Sequence, residues 1–318
     1  MTRYLVRRTG QSLIVIAGVL VGTFVLIHMV PGNVARSVLG PRATQTRIDI
    51  FDATYGLNQP LWKQFLNYVD QVVHGNLGTS YQLQQPVSTL IAQRLPRDIL
   101  LLGLATVFAL AIALPLGIYQ AVKRNKVSDN LLSAVSFTLY SMPDFFFAIM
   151  LVALLCVQFH LLVPTIPGND TSVGSLLADP RALALPVLTL TLVNVASYSR
   201  YMRSAAIETL AQDYLRVVRA KGLPERLVLS RHVLRNSMLP VVTMLGLSLP
   251  GIVAGAVIAE EVFNYPGMGL LFYQASTSHD FPILLGSTLI VGVATVIGNW
   301  GADLAYGALD PRIRHGGH

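Results

Sequence analysis

Six apolar runs, each long enough to cross a bilayer, decide what this chain can fold into. They are Thr9–Val30, Ile99–Val122, Leu131–Phe159, Leu183–Tyr201, Met238–Ala259 and Pro282–Ala308. A helix crosses the hydrocarbon core with roughly 20 apolar residues. Every backbone amide in that core must be satisfied within the segment, so the runs predict helices and exclude an open sheet. The short alternating segments of a transmembrane barrel are absent. Only 12% of the 318 residues are charged, against about 25% in soluble domains. The fold class expected is all-α integral membrane, with six transmembrane helices.

The first run has a basic flank (Arg3, Arg7, Arg8), but it is too long for a signal peptide and no A-x-A site follows. It reads as a retained span. Lysines and arginines set the orientation. One side holds Arg3, Arg7 and Arg8, then Lys123, Arg124 and Lys126, then the Arg200–Arg235 cluster, then Arg312 and Arg314. The other holds Arg36, Arg42, Arg47, Lys63, Arg94, Arg97 and Arg181, spread over long loops. Both termini are therefore expected in the cytoplasm. The net charge of +7 needs no nucleic acid to explain it. The single cysteine, Cys156, falls inside the third run and reads as a small packing residue.

The chain divides into an N-terminal transmembrane helix (1–30), an external, partly helical segment (31–96), a membrane core (97–308) and a cytoplasmic tail (309–318). Within the external segment, Arg47–Tyr55 and Leu61–Val73 have helical character, separated by the turn Gly56-Leu57-Asn58-Gln59-Pro60. Gly75-Asn76-Leu77-Gly78 is a second break. Pro115, Pro143, Pro186, Pro240 and Pro250 lie in the spans, where proline kinks a helix and frees a carbonyl. Gly18 with Gly22 and Gly251 with Gly255 have the spacing of close helix contacts. The absence of an internal repeat counts against an inverted-repeat transporter.

One hydrophilic segment is far longer than a turn between spans requires. From Arg200 to Asn236 the chain is polar and basic. Leu210, Tyr214, Val217 and Val218 recur at helical spacing and predict one apolar face. Asp213 and Arg216 stand three apart, where a pair adds little energy. Gly222 suits the position just past a helix end, where a left-handed backbone is needed. Pro224 and Glu225 suit the first turn of a second helix, since proline loses no hydrogen bond there and an acid meets the positive dipole end. The segment predicts a helix, a break at Gly222-Leu223-Pro224, and a second helix running to about Arg235 and into the fifth span. Arg219, Lys221 and Arg226 sit at its tip. Contact with anionic lipid headgroups accounts for arginines, but not for two capped helices.

This segment resembles a known family. DYLRVVRAKGLPERLVLSRHVLRNSMLP is similar to the coupling loop of ABC importer permeases. Its D-Y-x-R-x-x-R-A-K-G and H-x-L-R-N elements resemble the B-type permease subunit of dipeptide, oligopeptide and nickel importers. YGLNQPLWKQFLNYV, GNLGTSYQLQQPV, Leu95-Pro96, AEEVFNYPGMGLLFYQA and ALDPRIR follow the family's order, so the likeness covers almost the whole chain. The general permease pattern has E-A-A before the loop glycine and I-x-L-P after it. Here Arg216, Val217 and Val218 fill the first positions, and His232 and Arg235 stand where Ile and Pro would be.

The resemblance implies the type I ABC importer transmembrane fold in a bacterial or archaeal cell membrane. It implies a second homologous permease, two cytoplasmic ATPases that use ATP-Mg, an external solute-binding protein and a peptide substrate. It also implies that Asp213–Gly222 is a coupling helix seated in an ATPase cleft. The ATPase-coupling residues would be Asp213, Tyr214, Arg216, Arg219, Ala220, Lys221, Gly222, Glu225, His232, Arg235 and Asn236. Permeases of the same pattern for nickel, glutathione or another small solute remain open alternatives.

The sequence contains no phosphate-binding loop, no H-E-x-x-H, no Cys/His cluster and no nucleophile elbow. No catalytic residue, cofactor or metal is expected in this chain. Asp144 and Asp303 fall within spans, and an intramembrane carboxylate marks a functional candidate. Asp144, with Ser141 and Asn194, is a candidate for the substrate pathway. A structural bond to a freed backbone group or a partner subunit is the alternative for Asp144, and an interhelical bond for Asn194. A proton-coupled secondary transporter using Asp144 is the reading from another class. Asp303 reads as interfacial, beside Arg312. Glu260, Glu261 and Tyr265 are candidates for contact with the binding protein, with a solvated helix end as the alternative.

Overall fold

The structure is a computed structural model describing residues 2–30, 32–162 and 172–309, with side chains described for 8–30, 32–162 and 172–301. Among these residues the chain is helical apart from loops and one isolated bridge between Thr79 and Pro86. Five helical stretches are long and apolar enough to cross a membrane. They lie in α1 (Thr2–Met29), α5 (Val87–Val122), α9 (Arg181–Leu210), a run over Glu225–Ala254, and α15 (Phe281–Leu309). The run comprises α11 (Glu225–Leu227), a π turn (Val228–Val233) and α12 (Leu234–Ala254). The side chains of Arg3, Arg7 and Asp303, and the tail residues Arg312 and Arg314, lie outside the described residues.

The third expected span, Leu131–Phe159, is not one straight helix. It is α6 (Val127–Ser141) and α7 (Asp144–Leu151), the latter extended by a π turn (Val152–Gln158), with a bend of 107° between the two halves. Pro143 disfavours helical backbone at the residue before it, and Met142 is extended with ψ 136. Counted as one crossing, this bent pair brings the spans to six.

Two more boundaries move. α5 begins at Val87, not after Leu95-Pro96, so the division at residue 96 falls inside a helix. Pro96 removes one ladder bond, but the early turns are held by packing: Val87, Leu90 and Ile91 are buried with Phe281, Leu284 and Leu285 of α15. The fifth span ends at Ala254, because Gly255 turns left-handed (φ 81) before the short α13 (Val257–Phe263).

Helices approach closely at glycines the spacing rule did not select. A Cβ on Gly117 of α5 would stand 2.7 Å from Met202 Cβ and 2.8 Å from the Ser199 carbonyl of α9. By contrast, a Cβ on Gly18, Gly22 or Gly251 meets nothing within 4 Å among the described residues. Of those two expected pairs, only Gly255 lies at a close contact.

The segment after α1 folds onto the membrane helices instead of standing apart. It contains α2 (Val34–Leu39), α3 (Gln45–Tyr55) and α4 (Leu61–Val73), with Gly56 left-handed (φ 70) between the last two. Ile48, Phe51 and Tyr81 share a core with Phe24 and Ile27 of α1 and Phe281 of α15. The buried Asp280 carboxylate, at the start of α15, accepts from Ser80 Oγ (2.5 Å) and from the amides of Tyr81 (3.2 Å) and Gln82 (3.1 Å). The remaining elements are α8 (Val173–Ala178), α10 (Asp213–Ala220) and α14 (Met268–Ser278).

Candidate functional site

α9 ends at Leu210, and Gln212 is extended (ψ 138) before α10 starts at Asp213. The chain turns at that break, yet Leu210 packs on the same core as Tyr214 and Val218. The buried residue is Leu215, fully enclosed with Ala121 of α5, Ala206 of α9 and Val228 and Val233 of the π turn. Val217, expected on the apolar face, is 56% exposed. It shares the outward stripe with Asp213, Arg216 and Ala220, all exposed. Of the expected apolar face, Leu210, Tyr214 and Val218 do pack on this core, Leu215 is its buried centre, and Val217 is corrected to the outward side.

Past α10, Gly222 is left-handed (φ 79), and its missing Cβ would point into open space. The Arg219 guanidinium bridges the turn with a two-pronged bond to Glu225, Nη2 to Oε1 at 2.9 Å and Nε to Oε2 at 3.2 Å. Asp213 and Arg216 pair at 3.2 Å in full view of solvent. Asn236 Nδ2 donates to Tyr214 Oη, and the Tyr214 and His232 rings lie 6.5 Å apart. Ser237 Oγ donates to Thr209 Oγ1 at 3.0 Å, both buried. Lys221 and Arg235 are exposed. The loop is therefore a compact hairpin pinned by one leucine, with its charges outside.

Beneath the loop lies an ion pair that sequence reasoning missed. Arg203 of α9 donates through Nε and Nη2 to both oxygens of Asp129 on α6, each at 2.7 Å. Asp129 is fully buried and also accepts from the Asn125 amide at 2.9 Å. As a first-turn acid of α6 it reads in sequence as a cap, and nothing local points to an arginine 74 positions away. Arg200, one turn earlier on α9, stacks over Phe137 (4.4 Å) and Tyr140 (4.6 Å) of α6.

The three pathway candidates are not together. Ser141 lines an open apolar groove of about 650 Å³ at the α6–α7 bend, with Phe137, Met142, Phe145 and Phe146. Its hydroxyl donates to the Phe137 carbonyl at 2.8 Å. Asp144 is exposed and lines a separate cavity of about 250 Å³ with Thr189, Val193 and Gly255. Asn194 lines neither.

Two of the three candidates for contact with an external protein are corrected. Glu260 and Tyr265 are completely buried, and only Glu261 is exposed. Glu260 Oε1 accepts from the Ala256 amide (2.6 Å) and Oε2 from the Leu270 amide (2.8 Å). Asp98 of α5 accepts from the Met268 amide at 2.7 Å, and Tyr265 Oη donates to the Arg97 carbonyl at 2.9 Å. Burial pushes the Glu260 carboxyl up, while the amides of Leu270, Ala256 and Gly269 and the Arg94 guanidinium pull it down. Gly255, Gly267 and Gly269 admit these carboxylates: a Cβ on any of them would lie within 3.0 Å of a Glu260 oxygen. The signal available in sequence was Gly267-Met268-Gly269 close after two acids. Among the described residues no group of His, Cys, Asp or Glu is arranged to hold a metal ion.

Comparison with known proteins extends over the full length. Residues 113–315 match the model of the binding-protein-dependent transport system inner membrane component, and residues 1–102 match the model of its N-terminal region. The chain is 35% identical to an oligopeptide transport system permease protein of Bacillus subtilis, covering 99% of this chain and 100% of that one. It is 33% identical to the dipeptide transport system permease protein of Escherichia coli (strain K12), with 99% of each covered. It is also 33% identical to a glutathione transport system permease protein of Escherichia coli, covering 99% of this chain and 100% of that one. With spans, exposed loop and matches agreeing along the whole sequence, the chain belongs to the binding-protein-dependent transport system inner membrane component family, as a non-catalytic, multi-pass subunit of an inner-membrane ABC importer.

Proposed function

We propose that this chain forms, with a second homologous permease, the pathway for di- or oligopeptides, and that cytoplasmic ATPases using ATP-Mg drive it through α10. The reading includes both termini in the cytoplasm and a solute-binding protein delivering peptide on the opposite side. The observation that carries it is the division of labour in α10. One face is committed to the fold through Leu215, and the other offers Asp213, Arg216, Val217 and Ala220 to solvent. An exposed valine between charges on a short, pinned helix suits a protein cleft better than water.

Force on α10 has defined routes inward. Leu215 bears on α5, α9 and the π turn. Tyr214 and Asn236 join α10 to α12. Arg203 and Asp129 join the end of α9 to α6, whose far end is the 107° bend beside the 650 Å³ groove. A small displacement of α10 would therefore reach the bend through rigid helices, and the bend is the candidate for the pathway wall. Peptides are chosen over other solutes because two of the matched relatives are named for oligopeptides and dipeptides, with glutathione as the same-family alternative.

The test is Val217→Asp in the full chain, coexpressed with its cognate subunits. The expected result is an unchanged melting temperature for the permease, loss of ATPase copurification and loss of ATP-dependent peptide uptake. Retained copurification and uptake would sink the reading, as would uptake by this chain alone driven by a proton gradient.

A further inference from the structure

α4 carries an apolar stripe that the described residues leave largely uncovered, Val69 alone being half-buried. Trp62, Leu66, Val69 and Val73 stand at i, i+4, i+7 and i+11, one line along the helix. Trp62 is 66%, Leu66 55% and Val73 77% exposed. A second line, Phe65 and Tyr68, packs inward on the core shared by α1, α3 and α15. Lys63, Asn67 and Asp70 occupy the remaining side, exposed. The helix is thus apolar on two adjoining lines and uses only one of them for folding.

What covers the other is indicated by continuity. α1 is long and apolar enough to cross the membrane, and Val21, Val25 and Met29 on its outer surface are 48%, 49% and 72% exposed. A groove of about 340 Å³ joins the two surfaces, lined by those residues and by Leu61, Trp62 and Phe65 of α4. The stripe therefore continues the exposed apolar surface of a helix with the length and composition of a membrane span, at its Met29 end. Tryptophan and lysine side by side, as at Trp62 and Lys63, suit that level: the indole sits among headgroups and the ammonium reaches water. An amphipathic helix with one such face lies in the plane of the interface.

We propose that α4 is an interfacial helix embedded at the Met29 end of α1, and that the groove between α1 and α4 seats a phospholipid acyl chain. The proposal goes beyond peptide transport and does not depend on it, since none of its readouts is uptake. Trp300→Phe in the full chain leaves Trp62 as the only tryptophan. The protein is reconstituted into vesicles of phosphatidylethanolamine and phosphatidylglycerol carrying bromine near the headgroup end or near the terminus of the acyl chain. Shallow bromine is expected to remove about half or more of Trp62 emission, and deep bromine less. A matched chain with Trp62→Phe and Asn67→Trp moves the probe to the polar side and is expected to lose little. Equal quenching of the two probes, or none at Trp62, overturns the proposal. In the assembled importer, a phospholipid with a photoreactive acyl chain is expected to label residues 61–73. Absence of label there, or protein crosslinks from a photoreactive residue replacing Leu66, would show that another subunit covers the stripe and overturn it.

Discussion

The loop over residues 200–236 and the junction of α5, α13 and α14 both depend on charge and on glycine, and they use them in opposite ways. In the loop, Arg219 meets Glu225 six positions away and Asp213 meets Arg216 three away, all in solvent. In the junction, Asp98 reaches the Met268 amide 170 positions away, and Glu260 binds two amides with no exposure at all. Burying a carboxylate costs several kcal/mol unless it is bonded, so each junction acid is committed to this one arrangement. Apart from Arg200 and Arg203, which bind α6, the loop's charges pair only locally on the exposed side and stay available to another protein. The glycines divide likewise: Gly222 is needed for its backbone angle, Gly267 for space.

The largest effect tests that division at the junction. A Cβ at Gly267 would stand 2.1 Å from Asp98 Oδ1 and 2.4 Å from Glu260 Oε2. Both carboxylates accept hydrogen bonds from backbone amides, so neither can swing aside cheaply. Gly267→Ala is expected to cost about 3 kcal/mol or more, read as a large drop in melting temperature and in yield of folded protein. A melt like that of the unsubstituted chain would mean the junction is looser than its hydrogen bonds indicate.

The second effect lies under the loop. Arg203→Lys keeps the charge but loses the fork that meets both oxygens of buried Asp129. Lysine cannot reproduce that geometry, and the expected cost is about 2 kcal/mol. Asp129→Asn should be comparably harmful. The double change is expected to be milder than the sum of the two, because each single change strands the other partner. Strict additivity of the melting shifts would show that the pair is not coupled.

These two sites also mark where sequence reading stops. The spans were legible because lipid imposes a length and a composition on every crossing. The loop was legible because caps are local: Gly222, Pro224 and Glu225 announce themselves within a few residues. Within α10, Leu215 sets the buried side, and nothing local in the sequence separates it from the exposed Val217. The bend at Pro143 was flagged as a kink, but its 107° angle depends on what α7 packs against, Phe147 and Ala148 being buried. Asp98, Asp129, Glu260 and Asp280 look like solvated or capping acids in sequence. Their partners lie 74 to 200 positions away except for Glu260, so only the fold reveals them as structural.

A smaller effect separates the two kinds of glycine. Gly222→Ala meets no atom within 4 Å, but forces an L side chain to φ 79. Left-handed backbone costs an ordinary residue about 1 kcal/mol. The expected loss is therefore well below that of Gly267→Ala and of local character, seen as faster amide exchange in α10 while the spans keep their protection. Global unfolding from Gly222→Ala would erase the distinction between space and backbone.

The smallest effect is the most informative about purpose. Arg216 and Asp213 are 81% and 89% exposed, one turn apart. Such pairs contribute almost nothing to folding, since water screens them and two mobile side chains must be held. Arg216→Ala is expected to leave the melting temperature of the isolated permease unchanged. If the outward stripe of α10 is a docking face, the same substitution will still weaken association with the ATPases, and more so at low salt, because the charge then faces a partner instead of solvent. A residue that is silent in the melt and active in the assembly carries binding and no folding. If Arg216→Ala is silent in both measurements, the arginine serves only to keep this end of the chain out of the bilayer, and Val217 and Ala220 alone must make the contact.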